Sequence, residues 1–218
     1  MAKFIMLRLE GLLQAWGESA VWDNRSTAVM PTKSGVVGLL GCAMGLERKS
    51  ERLYELSRGI RMGIRADRRG AIILDYHTVQ GMPKILNAAG KPRGDTIVTP
   101  RWYLQDASFL AVLEASESLQ QQIERALEEP VWCIYLGRKN CVPSRPVWDG
   151  LHNEYEDILD AIYKYPAADR GDAVMAYEVE TPCAHGSSLS RPDAVVGERM
   201  FEKRLVWRGA IRREQPCI

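Results

Sequence analysis

Four glycines, Gly35, Gly38, Gly41 and Gly45, fall inside PTKSGVVGLLGCAMG (31–45), a stretch that otherwise reads as a buried helix over 34–46. Each glycine in a helix interior costs about 1 kcal/mol relative to alanine. The glycines drift only modestly around the helix, so they leave a flattened strip that another backbone can approach closely. Such a helix has to lie against something flat, and a sheet fits that need. Thr32 or Ser34 is the N-cap candidate. At the front end, Lys33, Ser34 and Gly35 sit where a helix presents unpaired N–H groups and a partial positive charge, a natural cradle for phosphate. No GKS or GKT closes the glycine run, so the spacing does not match the P-loop of an NTPase. A nucleic-acid phosphate fits it better.

The sheet is legible in the flanking segments. FIMLRL (4–9) alternates as a strand, with Ile5, Leu7 and Leu9 on one face and Phe4, Met6 and Arg8 on the other. Residues 10–30 read as a long loop rich in Gly, Ser and Asn, holding Trp16 and Trp22. After the glycine helix, ERLYELSRG is a short amphipathic piece, and IRMGIRA (60–66) and AIILDY (71–76) read as strands. KILNAAGKPRGD (84–95), polar and glycine-rich between strand-like flanks, predicts a long projecting hairpin. ASFLAVLEA (107–115) reads as a strand. Leu119, Ile123, Ala126 and Leu127 mark an amphipathic helix stopped by Pro130, and VWCIYLG (131–137) reads as a further strand. The order β, α, β, hairpin, β, α, β is the split βαβ or ferredoxin-like pattern of an α+β fold. A helix near 153–163 and strands near 174–180 and 202–208 predict a smaller second unit.

Composition narrows the functional classes. The 218 residues carry 29 basic and 28 acidic side chains, a net charge of +1, which argues against a polybasic tail while leaving room for a local basic patch. Arg8 and Glu10 interrupt the apolar N-terminus, so neither a signal h-region nor a membrane span is expected. Five scattered cysteines do not form a secreted disulfide framework, and a cytoplasmic location is the expectation. Cys183 and His185, and the loosely spaced Cys133, Cys141 and His152, match no zinc pattern, and no cofactor is expected.

LRLEGLLQAWG (7–17), PTKSGVVGLLGCAMG (31–45), DYHTVQG (75–81), DTIVTPRWYLQDASF (95–109), YLGRKNC (135–141) and ERMFEKRLVW (198–207) occur in one order. That series resembles the CRISPR-associated Cas-five (CasD) family of RAMP subunits of type I-E Cascade surveillance complexes, over nearly the whole chain. The resemblance implies a ferredoxin-like, RRM-related RAMP domain (1–142) with a protruding β-hairpin thumb at about 78–98, and a small C-terminal β-rich domain (143–218). It also implies a non-catalytic subunit in antiviral defence that caps the 5′ handle of the crRNA. The implied protein partners are the Cascade backbone and large subunits, with target DNA contacted only indirectly and no membrane involved.

Several residues are candidates for RNA contact. Lys33, Ser34 and Gly35 offer the helix cradle. Trp16 either stacks on a nucleotide or plugs the core under its loop. Arg25 is a phosphate contact or a solvated charge. Arg8, in a strand, needs an anionic partner or an exit to water, and RNA or an internal salt bridge would each serve. Arg138 and Lys139 form a compact basic pair on a turn, and Arg199, Lys203 and Arg204 a third cluster. Lys84, Lys91 and Arg93 lie on the implied thumb. The rival reading is a metal-independent repeat-RNA endonuclease using Tyr76 and His77, as in type I-C relatives, although no second histidine or lysine completes an acid–base pair.

Overall fold

The alternation that opens the chain runs further than 4–9 and makes β1 (Phe4–Gln14), which shortens the expected loop. A computed structural model describes residues 3–17, 24–80, 85–86, 89–92, 96–181 and 188–213. After β1 come α1 (Lys33–Ala43), α2 (Glu51–Gly59), β2 (Arg61–Arg68), β3 (Ala71–Val79), β4 (Ile97–Glu114), α3 (Glu117–Glu128) and β5 (Trp148–His152). Then follow α4 (Ile158–Lys164), β6 (Val174–Glu180), β7 (Ser188–Gly197) and β8 (Met200–Arg212). Among the described residues the strands form one antiparallel sheet in the order β5-β1-β4-β2-β6-β8-β7, with β3 paired to β4.

β4 is the spine. Its inner half, Gln105–Glu114, pairs with β1 on one side and, from Ser108 on, with β2 on the other. Its outer half, Ile97–Gln105, pairs with β3 and carries the sheet out into an arm. β2 and β3 are successive strands along the same flank of β4, separated by a break at Gly70. There φ is +70° and a Cβ would lie 2.2 Å from the Gln105 carbonyl oxygen, so only glycine fits.

Both faces of the sheet are covered. Ile5, Leu7, Leu9, Met62, Ile64, Phe109 and Leu113 join residues of α1, α2 and α3 in the main core. Phe4, Met6, Leu110 and Val112 pack with Ile158, Ala161 and Ile162 of α4 on the opposite face. α4 therefore closes the sheet face that carries Phe4, Met6 and Arg8.

The glycine strip of α1 divides into distinct roles. A Cβ on Gly35 would meet Trp16 Cε3 at 2.7 Å, and one on Gly41 would meet Leu53 Cδ1 of α2 at 2.5 Å. Gly45 follows the helix with φ +67° and its N–H bonds to the Cys42 carbonyl, an end that favours glycine. Gly38 is exposed with open space around its Cα. The helix packs on Trp16, α2 and α3 as a layer over the sheet, and its closest approaches are to side chains rather than to strand backbone.

Residues 131–137 are not a strand. Val131 N–H bonds to the Ala43 carbonyl, Leu136 N–H to the Cys141 carbonyl, and the Leu136 carbonyl accepts from Ala15 N–H, so the segment is spent on turns and on the flank of β1. β5 takes the place beside β1 instead. β7, absent from the sequence expectation, is a strand whose inward positions are the buried charges Arg191 and Asp193 and whose middle holds Pro192, which leaves no apolar alternation to read.

The segment beyond residue 142 docks directly on the first part of the sheet. β5 pairs with β1 and β6 with β2. Asp67, fully buried, accepts from Arg8 Nη1 at 2.5 Å, from Arg65 Nε at 2.6 Å and from Ala168 N–H at 2.8 Å. Arg65 in turn donates to the carbonyls of Ile162, Tyr165 and Pro166. These bonds fix α4 and the turn after it against the strands.

Candidate nucleic-acid interface

The N-terminus of α1 is the first place to look for phosphate, and it is already filled from within. Thr32 caps it through Oγ1, which accepts from Gly35 N–H at 3.2 Å. Lys33 N–H donates to Asp193 Oδ2 at 2.8 Å, placing a carboxylate where the helix favours an anion. Lys33 Nζ lies 3.0 Å from each oxygen of Glu180, and Arg204 grips Asp193 through Nε at 2.6 Å and Nη2 at 3.0 Å. Lys33, Asp193 and Arg204 are all buried. This corrects the cradle expectation for Lys33 and Gly35 and the RNA-contact expectation for Arg204: their donors meet protein acceptors. Ser34 is half-buried, its hydroxyl 3.2 Å from that of Thr32.

Two further candidates are structural. Trp16 is fully buried, its Nε1 donating to Gln14 Oε1 at 3.0 Å and its ring lying under Gly35, so neither face is offered to a base. Arg8 is buried between Asp67 and Asp149, donates to the Pro166 carbonyl, and lies 5.6 Å over the Tyr165 ring. Its internal salt bridge is made, to Asp67 and Asp149.

A different set of cations converges where the arm leaves the sheet. Segment 24–28 runs along the outer half of β4, with Arg25 N–H bonded to the Pro100 carbonyl and Trp102 N–H to the Arg25 carbonyl, each at 3.0 Å. The indole of Trp102 donates to Asn24 Oδ1 at 3.1 Å. The 136–141 turn, bonded to Ala15 just after β1, closes on the same joint. Arg138 donates to the carbonyls of Trp102 and Arg25 at 3.2 and 2.8 Å, and its guanidinium lies 4.7 Å over the Tyr103 ring. Asn140 donates to the Tyr103 hydroxyl at 3.0 Å. Arg25 and Lys139 are exposed beside this joint. Among the described residues, none of Arg25, Arg101, Arg138 and Lys139 forms an ion pair with a carboxylate, and Arg101 Nε is buried without a protein acceptor.

This arm-root cluster combines three segments distant in sequence. Arg25, Arg138 and Lys139 were each legible as candidates; Arg101 was missed. Its signal, the basic residue in TPRWYL within a strand flank, is weak until β4 is seen to bring it beside Arg25. Among the remaining candidates, Lys91 and Arg199 are exposed and lie away from the joint, Lys91 on the hairpin segment and Arg199 at the β7–β8 turn with φ +54°. Lys84 and Arg93 lie outside the described residues, as does most of the segment that joins β3 to β4, and Cys183 and His185 lie there too.

Tyr76 and His77 are neighbours in β3, so their side chains point to opposite faces of the arm. Tyr76 is exposed, and His77 Nδ1 lies 3.9 Å from Asp75 Oδ2. That arrangement does not place them together on one scissile phosphate. Among the described residues, no group of three or more His, Cys, Asp or Glu is placed to hold a metal ion, and no helix is long and apolar enough to cross a membrane.

Comparison with known proteins gives a consistent set of relatives. The model of the family described as CRISPR-associated protein (Cas_Cas5) matches residues 4–213. The CRISPR system Cascade subunit CasD of Escherichia coli (strain K12) is 35% identical over an alignment covering 69% of this chain and 71% of that protein. A solved structure described as a crystal structure of a Cas protein superposes with a TM-score of 0.72 at 31% identity, covering 96% of this chain and 95% of the other. A chain of a CRISPR RNA-guided surveillance complex superposes with a TM-score of 0.74 at 27% identity, covering 96% and 90%.

Proposed function

The chain belongs to the CRISPR-associated Cas5 protein family, and we propose that it is the CasD-type, non-catalytic subunit of a type I-E Cascade surveillance complex, holding the 5′ handle of the CRISPR RNA. The observation that carries this reading is the arm-root cluster, where Arg25, Arg101 and Arg138 converge without carboxylate partners among the described residues and Lys139 follows Arg138 on the same exposed turn. A single-stranded, phosphate-rich ligand supplies the missing negative charge, and its splayed bases are read at ends and edges while guide pairing supplies target specificity. Arg25 and Lys139 would contact phosphate. Arg138 would hold the two loops in register and share its outward charge.

Within this reading, residues 1–142 act as a ferredoxin-like RAMP domain, the β3–β4 arm with the hairpin at about 78–98 acts as the thumb, and residues 143–218 act as the small C-terminal unit. Lys84, Lys91 and Arg93 would follow the RNA along the thumb, and Arg199 would contact it from a separate surface. Ile72, Leu74 and Tyr76 alternate along β3 on one exposed face of the arm, an apolar stripe suited to the backbone subunit. The large subunit is the second protein partner, target DNA is reached only through the complex, and the setting is cytoplasmic.

Co-expression with a CRISPR array and the neighbouring genes, followed by affinity purification and RNA crosslinking, tests the proposal. The expected product is a complex with a discrete guide RNA whose 5′ handle crosslinks to 24–28, 97–103 or 136–141. A protein that emerges alone and cuts repeat RNA in EDTA, with the activity lost in His77→Ala, would overturn it.

A further inference from the structure

At the end of α1, within reach of the Lys139 charge, two cysteines come together. Cys42, in the last turn of the helix, donates from Sγ to the Cys133 carbonyl oxygen at 3.3 Å. The two segments are held together here: Val131 N–H bonds to the Ala43 carbonyl at 2.8 Å, and the Val131 side chain packs so closely on Gly45 that a Cβ there would lie 2.8 Å from Val131 Cγ1. Cys42 is half-buried and Cys133 exposed, both as free thiols. We propose that Cys42 and Cys133 are a dithiol pair that a small-molecule disulfide such as oxidised glutathione converts into an intramolecular disulfide, tying α1 to the segment that leads into Arg138 and Lys139.

The order of events follows from exposure. The accessible Cys133, as thiolate, attacks one sulfur of glutathione disulfide; that S–S bond breaks and one glutathione leaves as its thiolate. Cys42, once deprotonated, attacks the Cys133 sulfur of the mixed disulfide and expels the second glutathione thiolate. The two protons lost by the cysteines end on the two glutathiones, and the two electrons pass to them. Burial and the nearby Cys133 sulfur raise the Cys42 thiol above its ordinary range, while the Lys139 ammonium pulls the other way. Cys42, the less exposed of the two, is the resolving thiol. Cys141 is fully buried, with its Sγ directed to the Asn140 side-chain oxygen, and takes no part. The bond would join residues 91 positions apart, so it constrains a large part of the unfolded chain.

The test equilibrates the full chain in glutathione buffers from fully reduced to fully oxidised, blocks residual thiols in denaturant, and maps peptides by mass without reductant. The expected result is a Cys42–Cys133 linked peptide as the first crosslink to appear, with a higher Tm for the oxidised chain that reductant reverses. Cys42→Ser should stop the reaction at glutathione on Cys133, and Cys133→Ser should leave Cys42 unmodified. Recovery of both cysteines as blocked thiols, or of each carrying glutathione without a link, in the fully oxidised buffer would overturn the proposal. So would Cys133 pairing with another cysteine or with a second copy of the chain.

Discussion

The N-terminus of α1 and the root of the β3–β4 arm are both basic, and they use that charge in opposite ways. At α1, Lys33 and Arg204 face Glu180 and Asp193, and the helix end itself receives a carboxylate. At the arm root, Arg138 bonds to neutral carbonyls and lies over a ring, so its charge is positioned but not cancelled. A cation that already has a buried acid cannot take up a phosphate without stranding that acid, whereas one held by carbonyls keeps its charge for a ligand. The distinction between a basic residue and an available one lies in what the fold has already spent on it. The same contrast separates Arg8 and Arg65, locked on Asp67, from Arg25 and Lys139 on the surface.

The largest expected effect breaks the buried side of this comparison. Asp67→Asn leaves Arg8 and Arg65 facing each other without their shared carboxylate, and the loss should be about 3–5 kcal/mol of stability in urea or thermal unfolding. A loss under about 1 kcal/mol, the range of exposed pairs, would mean that the cluster is not buried as described. Next comes Gly35→Ala, which presses a methyl group against the Trp16 ring and should cost about 1–3 kcal/mol. Gly38→Ala meets open space in the same helix and should stabilise by about 0.5–1 kcal/mol. Unfolding curves that rank these two the other way would overturn the packing given for α1.

The arm root should respond differently. Arg138→Ala removes three carbonyl bonds and a ring contact, so a loss of about 1–3 kcal/mol is expected together with weaker RNA binding. Lys139→Ala should leave stability within about 0.5 kcal/mol while weakening binding of a handle-length RNA, read by fluorescence anisotropy. A Lys139 variant that binds as tightly as the parent would remove this residue from the interface.

The fold was most legible where apolar spacing was strict. Ile5, Leu7 and Leu9 against Phe4 and Met6 gave the two faces of β1 correctly, and Leu119, Ile123 and Leu127 gave α3, whose buried residues include the latter two. Legibility failed where burial and hydrophobicity part company. VWCIYLG looks like a strand, yet Val131 and Trp132 are exposed and the backbone is taken up by turns. β7 buries Arg191 and Asp193, so its inward face carries charge that the rest of the sheet compensates. The site followed the same rule. Lys33 and its acceptor Asp193 are 160 positions apart, and nothing near PTKS reports that the cradle is occupied. Arg25, Arg138 and Lys139 could be named from local chemistry, but their convergence with Arg101 depends on how β4 brings two loops together.

The most direct test of the account is the salt dependence of handle-RNA binding by the full chain, compared across Arg25→Ala/Lys139→Ala, Lys33→Met and the parent. Each lost phosphate contact should flatten the log–log slope by about 0.7 for single-stranded RNA, so the double variant should flatten it by about 1.4. Lys33→Met should leave the slope unchanged among the folded molecules, whatever it does to stability. An unchanged slope for the double variant together with a flatter one for Lys33→Met would put the phosphate at α1 and contradict the account.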